Sequence, residues 1–216
     1  MKNLNEVIKK RHTTKRYIDG PDLTKEQIEN IIDAAYLAPS ATNFQDSQIV
    51  IITNKSKKEE YAEFFEESNK INILKAKALI IFIGTPFKVL LSDNYKRIYD
   101  TIKDFAAKDA LDETAKGVIN YYTKVSKYTD TIDITSSSIQ LAFVLLQATD
   151  IGFETTPMMG FNTSKLEEFM IKEKTMVQGQ RINVTASLGY ADKNDELNIK
   201  VAKRHRFAKE NMYKIV

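Results

Sequence analysis

The 216-residue chain is 43% hydrophobic, and its 32 lysine and arginine residues against 29 acidic residues leave a net charge of +3. This length suffices for one sizeable core and is short for two ordinary domains, so we expect a single domain over residues 1–216. The small net charge argues against a nucleic-acid partner. The absence of cysteine excludes disulfides, thiolate nucleophiles and zinc–cysteine sites. No apolar leader follows Met1 and no apolar run reaches membrane-spanning length, so we predict a cytoplasmic protein without a membrane partner.

The first elements in the chain are predicted to be two helices. One apolar helical face opens the chain and ends in the basic run KKRHTTKRY, residues 9–17. The segment LTKEQIENIIDAAYLAPS, residues 23–40, has a stronger helical pattern, with Thr24 and Gln27 as a capping box and Pro39 as its stop. A second amphipathic helix is therefore expected after the basic run.

Short apolar or β-branched runs further along the chain predict strands. They are QIVIIT (48–53), ALIIFIG (78–84), FETTPM (153–158) and RINVTASLGY (181–190). Helical patterns separate them, namely KKEEYAEFFEES (57–68), a charged region over about 95–128, DITSSSIQLAFVLLQATDIG (133–152) and a short helix at about 164–171. The third of these helices is nearly all apolar and is closed by Gly152, so we expect it to be central and buried.

The order of these elements predicts the fold class. Helices alternating with strands favour an α/β or α+β sandwich, in which helices flank a mixed central sheet. The last segment, about 192–216, is long and charged, and we interpret it as a C-terminal arm. Such an arm returns to a charged site or embraces a second subunit, and a disordered tail is the alternative.

Two basic clusters lie near opposite ends of the chain, RHTTK at 11–15 and KRHR at 203–206. Arginines from separate segments can converge on one phosphate through charge-assisted hydrogen bonds, and a threonine hydroxyl can add another. A solvated face and a nucleic-acid contact are the alternative interpretations. A histidine among arginines is a poor metal ligand, so no metal is expected. The chain also lacks the G-x-S-x-G elbow, the Walker loop and the G-x-G-x-x-G fingerprint.

Four motifs in this order resemble the FMN-dependent nitroreductase family: KRHTTKRY, AAYLAPSATNFQ, TTPMMGF and KRHRF. The resemblance runs from about Val7 to about Phe207. It implies an α+β nitroreductase-like fold, a homodimer with FMN at the subunit interface, and a C-terminal arm exchanged with the partner subunit. It also implies ping-pong hydride transfer from NADH or NADPH, through flavin N5, to nitroaromatics, quinones or similar electron-poor acceptors. No catalytic side chain is implied, because the flavin carries the hydride.

The resemblance assigns residues of the first two motifs to the flavin. The phosphate, the ribityl oxygens and the pyrimidine edge of the ring would be met by Arg11, His12, Thr13 and Lys15. A cation at Lys15 stabilises the reduced flavin, whose negative charge lies around N1 and C2. The P-S-x-x-N-x-Q motif assigns four residues to the flavin of the other subunit: Pro39, Ser40, Ala41 and Asn43. Thr42 would face the open pocket above the ring, and Tyr122 falls near an aromatic residue that lines the family's substrate channel.

Two alignments are open for the residues that the resemblance places at the flavin ring. An ungapped match puts Asn69 at the ring and Asn72 where relatives carry lysine or glutamine, whereas a shifted match uses Asn72 and Lys75. We prefer the ungapped match, because the shifted one requires a deletion. The third motif adds Pro157, Met159 and Gly160. The backbone N–H of Met159 would point at flavin N5, and Gly160 would supply a second N–H.

One further alignment register is open, at the C-terminal motif. The sequence also departs from the family pattern at two places. The family's K-x-R before an apolar residue matches Arg204 and Arg206, with Lys203 as the fallback. The usual Q-P-W is QDS at 45–47, where we expect a change in local packing, and the chain has no tryptophan. Met159 stands where relatives commonly carry glutamate or glycine. The acceptor, the preference for NADH or NADPH and the redox potential are therefore not implied.

Two other kinds of protein are compatible with the same features. A flavin-binding storage or sensor protein would keep the phosphate contacts without turnover. A related flavin enzyme, such as an enoate reductase, a dehalogenase or a dehydrogenase, would keep the cofactor and change the reaction.

Overall fold

The computed structural model describes residues 3–92, 95–103 and 106–216. Within these residues five strands form one sheet in the order β1–β5–β3–β2, and β4 also pairs with β5. Their bounds are β1 (Tyr17–Ile18), β2 (Ser47–Ile52), β3 (Ala78–Gly84), β4 (Glu154–Met158) and β5 (Arg181–Ala191). The four predicted strands are confirmed. The sequence did not predict β1, because two residues are too few to show an alternating pattern.

The strands pair antiparallel, whereas we expected a mixed sheet. A parallel contact occurs in the described residues as an isolated bridge between Thr13 and Thr155. Helices that alternate with strands suggest parallel crossovers, but the two helices between β2 and β3 return the chain in the opposite direction. The predicted α+β class is nevertheless confirmed.

β3 lies between β2 and β5 and joins the two halves of the core. All seven of its residues are buried. Leu79, Ile81 and Ile83 pack into one apolar cluster, and Ile80 and Phe82 pack into another. Side chains alternate across a strand, so these clusters lie on opposite faces of the sheet. Each fully buried side chain of this kind stabilises the fold by roughly 1.5–3 kcal/mol.

Helices cover the sheet on both sides. Those in the described residues are α1 (Leu4–Lys10), α2 (Lys25–Tyr36), α3 (Lys55–Ala62), α4 (Glu67–Lys75), α5 (Phe87–Leu90), α6 (Lys96–Ile102), α7 (Leu111–Asn120), α8 (Ile132–Asp150), α9 (Thr163–Lys172) and α10 (Glu196–Ala202). The predicted capping box begins α2. Thr24 Oγ1 accepts from the Gln27 N–H at 3.2 Å, and Gln27 Oε1 accepts from the Thr24 N–H at 2.9 Å.

The prediction of a single helix at 57–68 is wrong. The chain forms α3 and α4 instead, and α3 ends at Ala62. Phe65 leaves the helical path to form an antiparallel bridge with Phe161, and the two ring centroids lie 5.4 Å apart. This long-range contact outweighs the helical preference of the surrounding glutamates and lysines, and helical spacing alone cannot reveal it.

The central position of α8 is confirmed, because it packs against α2, β2, β3, β4 and β5. Gly152 follows the helix in the left-handed region, with φ of 98°. The expectation of full burial is wrong on one side, where Ile134 and Phe143 are 39% and 40% exposed in the single chain. Within the described ranges no helix combines the length and the apolar character needed to cross a membrane.

Candidate functional site

The basic run lies between α1 and β1 and follows the edge of β4. Arg11 is the C-cap of α1, and the Nδ1–H of His12 donates to the carbonyl of the last helical residue at 2.9 Å. Thr13 forms a bridge with Thr155 of β4, and the N–H of Thr14 donates to Thr155 O at 3.1 Å. The sheet therefore holds the backbone of the basic run in place.

Asn198 of α10 attaches the C-terminal segment to the basic run. Its Oδ1 accepts from the N–H groups of Lys15 and Arg16 at 2.6 and 3.1 Å, and its Nδ2 donates to Arg16 O at 2.8 Å. Asn198 is buried, with 4% of its surface exposed. Sequence reasoning missed this residue, because a lone asparagine in a charged segment gives no pattern.

Arg11, Arg204 and Arg206 form a group that we call the cationic cluster. Arg204 donates to the carbonyl of Ile8 at 3.2 Å and to that of Lys9, at the end of α1. Burial, and then the positive charges of Arg204 and Arg206, lower the pKa of Arg11. No carboxylate forms an ion pair with these arginines in the described part of the chain. The cluster is therefore an uncompensated positive site suited to an anion.

The C-terminal arm brings Arg204 to the end of α1. The positive charges of Arg204 and Arg206 both act on Arg11 and lower its pKa. Lys203 is exposed at the C-cap of α10 and forms no side-chain contact that the structure describes. Arg206 donates to His205 O at 2.7 Å.

Gly160 lies where the loop after β4 meets α4. Asn69 Nδ2 and the N–H of Glu66 both donate to Gly160 O at 3.1 Å. A Cβ atom at Gly160 would lie 2.8 Å from Asn69 Nδ2 and 3.2 Å from Glu66 Cγ, so a larger residue here would displace the Asn69 side chain. The N–H groups of Met159 and Gly160 donate to no acceptor in the described residues, and the Met159 side chain is 75% exposed. Two backbone donors remain available to a ligand here.

The structure places the residues of the two alternative alignments in different surroundings. Asn69 contacts the Gly160 loop, whereas Lys75 is exposed and lines a separate polar cavity of about 810 Å³ with Lys77. Asn72 is 4% exposed, and its Oδ1 has no hydrogen-bond partner in the described residues. Pro157 lies in β4 opposite Ala186. Of the residues that distinguish the two alignments, Asn69 lies beside the Gly160 loop and Lys75 lies at the separate cavity.

Residues 39–45 form a strained turn, which we call the PSATNFQ turn. Three of its residues lie in the left-handed region, at φ of 50° for Thr42, 53° for Asn43 and 49° for Gln45. Ser40 holds the turn from within, since its O accepts from the Asn43 N–H at 3.1 Å and its Oγ accepts from the Gln45 N–H at 2.9 Å. Pro39 is exposed, and Ala41 is partly buried. Non-glycine residues adopt such φ values rarely, so the turn needs support from its surroundings.

Side chains of the charged helical region supply that support. Thr42 Oγ1 and the Tyr122 hydroxyl are hydrogen-bonded at 2.9 Å. The Tyr122 ring lies 5.1 Å from the fully buried Phe44 ring. Arg97 of α6 donates from Nε to Phe44 O at 3.3 Å and from Nη2 to Gln45 O. The sequence suggested Tyr122 and missed Arg97, because the latter belongs to no recognisable motif.

The QDS segment, residues 45–47, makes polar contacts with α8. Ser47 Oγ is hydrogen-bonded to Ser137 Oγ and Gln140 Oε1 of α8, both at 2.9 Å. Asp46 is 1% exposed, and burial raises its pKa, with the charge of Asp133 adding to the effect. The Ser136 hydroxyl favours the charged form. The effect of Ser136 on the pKa of Asp46 is smaller than that of burial, because neither Asp46 carboxylate oxygen reaches hydrogen-bond geometry with a described partner.

Two separate groups of site residues result. The cationic cluster, the basic run and the Gly160 loop are connected through β4. The PSATNFQ turn is connected to α6 and to the π-helical segment Tyr121–Val125. No hydrogen bond or ion pair of the described residues joins the first group to the second.

The chain is similar in sequence and in structure to known proteins. MhqN of Bacillus subtilis (strain 168), itself assigned by inference as an NAD(P)H nitroreductase, is 20% identical over 173 residues, which is 79% of this chain and 82% of the relative. The CLA biosynthesis enone reductase of Lactiplantibacillus plantarum is 22% identical over 169 residues, which is 76% of each chain. A structure from Exiguobacterium sibiricum 255-15, in complex with FMN, superposes with a TM-score of 0.78 at 19% identity, covering 100% of this chain and 98% of the other.

The family assignment comes from a match over most of the chain. The model of the Nitroreductase family matches residues 8–190, which include the basic run, the PSATNFQ turn and the Gly160 loop. The chain is a member of the Nitroreductase family.

Proposed function

We propose that the protein is an FMN-dependent oxidoreductase that uses NADH or NADPH to reduce nitroaromatics, quinones or similar electron-poor acceptors. The observation that carries the proposal is the cationic cluster. Arg204 contacts the end of α1 beside Arg11, and the charges of Arg204 and Arg206 act on Arg11. No carboxylate of the described residues forms an ion pair with any of the three. Such a cluster is unfavourable by itself and becomes favourable when a phosphate dianion neutralises it.

The residues present suit both the phosphate end and the ring end of FMN. Thr13 is bridged to Thr155, and β4 leads from there to Gly160. The five residues of β4 span roughly 17 Å at about 3.3 Å per residue, which suits an elongated cofactor. The far end offers the N–H groups of Met159 and Gly160, which donate to no acceptor in the described residues.

The chain binds and orients, and the cofactor supplies the redox chemistry. When bound, FMN would supply the hydride-transfer chemistry between the nicotinamide and the acceptor. Arg11, Arg204 and Arg206 would hold its phosphate, and Asn69 fixes the Gly160 loop, whose N–H groups would be available to the ring. Lys15 forms no ion pair in the described residues, so its charge is free to stabilise negative charge on the ring.

A homodimer would complete the site, with Pro39, Ser40, Ala41 and Asn43 of one subunit meeting the FMN of its partner. The disconnection of the PSATNFQ turn from the cationic cluster within one chain supports this arrangement. Exposed apolar residues support it as well, since Leu4, Leu37 and Phe143 border a largely apolar groove of about 530 Å³. The C-terminal arm also exposes apolar side chains that a partner subunit would cover: Phe207, Met212, Tyr213, Ile215 and Val216.

The acceptor pocket would be bordered by Thr42 and Tyr122, whose hydroxyls are hydrogen-bonded to each other at 2.9 Å. One shared apolar slot would receive nicotinamide and acceptor in turn, which is the ping-pong scheme. A second candidate, enone reduction, is favoured by the likeness to the CLA biosynthesis enone reductase.

The visible spectrum of the purified protein tests the proposal. We expect a yellow protein, or FMN-free protein that quenches FMN fluorescence. NADH or NADPH added anaerobically should bleach the flavin, and a nitroaromatic, a quinone or an enone should restore its absorbance. Failure to bind FMN would refute the proposed function. Bound flavin that neither coenzyme bleaches would instead indicate a storage or sensor protein, and restoration by the enone alone would favour the second candidate.

A further inference from the structure

The PSATNFQ turn has a backbone conformation that its own sequence does not favour. Thr42 is β-branched and lies at φ of 50°, and Asn43 and Gln45 lie at 53° and 49°. Asparagine tolerates this region, whereas threonine and glutamine are unusual in it. A strained conformation of this kind persists only where surrounding contacts hold it.

Arg97 provides such a contact from outside the turn. Its guanidinium donates from Nε to Phe44 O at 3.3 Å and from Nη2 to Gln45 O, so one planar group contacts two consecutive carbonyls. Arg97 forms no ion pair in the described residues, and its positive charge also favours the charged form of Asp46, the residue that follows the turn. Lysine cannot reproduce this contact, because its ammonium lacks the planar fork of donors.

We propose that Arg97 is a positioning residue for the cofactor site: it fixes the PSATNFQ turn in the conformation in which Ser40 to Asn43 meet FMN. The FMN contact rests on the proposed function, whereas the effect of Arg97 on the turn does not. The internal bonds of Ser40 close the turn on itself, and the Thr42–Tyr122 bond holds its middle. Arg97 binds its C-terminal end, where the chain enters β2.

Four proteins test this proposal: the natural protein, Arg97→Ala, Arg97→Lys and Lys96→Ala. Lys96 is the matched control, because it precedes Arg97 in α6, is exposed and forms no described hydrogen bond or ion pair. Two quantities are measured on the full chain without FMN. One is the hydrogen-exchange rate of the amides of residues 40–46. The other is the dissociation constant for added FMN, with and without millimolar methylguanidinium.

In Arg97→Ala we expect turn amides to exchange about tenfold faster and FMN to bind about tenfold more weakly, the effect of losing hydrogen bonds from a charged donor. Methylguanidinium should partly restore FMN binding, and ammonium at equal ionic strength should not. Arg97→Lys should fall between the natural protein and Arg97→Ala, and Lys96→Ala should match the natural protein.

Unchanged exchange in Arg97→Ala would overturn the proposal, and so would faster exchange with unchanged FMN affinity. Equal effects of Arg97→Ala and Lys96→Ala would reduce the role of Arg97 to general charge and overturn it too. If the natural protein binds no FMN, the proposed function fails, and the exchange rates still decide whether Arg97 holds the turn.

Discussion

The cationic cluster and the PSATNFQ turn prepare a site in opposite ways. The cluster concentrates charge in side chains from both ends of the chain, and one of its three residues, Arg204, lies at a positive φ of 47°. The turn carries no charge, and its unusual feature is the backbone itself, with three non-glycine residues at positive φ. The first stores electrostatic repulsion that an anion relieves, and the second stores backbone strain that neighbouring side chains hold.

This difference predicts how each region responds to change. Removing an arginine of the cationic cluster should weaken ligand binding. The stability of the ligand-free protein should hardly change, because repulsion between like charges is removed at the same time. Changing a residue beside the turn should alter stability first and binding second. The following experiments separate the two behaviours.

The largest effect is expected for Arg11→Ala. Loss of charge-assisted bonds to phosphate should weaken FMN binding by about 10–100-fold. The free energy of unfolding of the FMN-free protein should change by less than about 0.5 kcal/mol, because repulsion from Arg204 and Arg206 is removed as well. Fluorescence titration and urea unfolding measure the two quantities. Lys10→Ala is the control, and an equal loss of affinity in it would contradict a specific role for Arg11.

Asp46→Asn should stabilise the protein in a pH-dependent way. Burial raises the pKa of Asp46 above its ordinary value of 3.8, so the folded state holds the proton at pH values where the unfolded state has lost it. The loss of folding stability caused by ionising Asp46 is absent below pH 3.8. It grows as pH rises from 3.8 to the folded-state pKa and is complete above that pKa. At neutral pH we therefore expect Asp46→Asn to add about 1 kcal/mol to the free energy of unfolding. Unfolding curves for both proteins from acidic to neutral pH measure this difference, and a gain that persists below pH 3.8 would contradict the assignment.

Tyr122→Phe should remove one hydrogen bond to the turn and keep the ring. We expect a loss of about 1 kcal/mol in the free energy of unfolding and a larger change in KM for the acceptor than in FMN affinity. Tyr121→Phe is the matched control, because Tyr121 is 51% exposed and its hydroxyl has no described partner. A loss of FMN affinity as large as that of Arg11→Ala would remove the distinction between the two regions.

The smallest effect is expected for Gly117→Ala in α7. A Cβ atom there would meet nothing within 4 Å, so alanine should add about 0.5–1 kcal/mol to the free energy of unfolding through its higher helix propensity. FMN affinity should not change. Urea unfolding checks the first expectation, and a destabilised variant would indicate that α7 differs from a regular exposed helix.

Much of the framework could be predicted from local patterns. Four strands, the capping box of α2 and the central position of α8 follow from periodicity and turn residues. The break between α3 and α4 could not, because Phe65 is withdrawn from the helix by Phe161, a partner 96 residues away by sequence number (161 − 65). The antiparallel direction of the strands was missed for a similar reason. The direction of each strand depends on how the connecting helices pack, and local sequence patterns do not show this.

The candidate site was predictable to the extent that residue type reveals chemistry. By itself the sequence determined that basic residues occur near both ends of the chain and that no cysteine is present, because these are properties of composition and order. Only the tertiary structure decided that Arg11 meets Arg204 and Arg206, that Asn198 joins α10 to the basic run, and that Arg97 holds the PSATNFQ turn. Hydrogen bonds and charge repulsion act over a few ångströms of space, and distance along the chain does not specify which groups come that close.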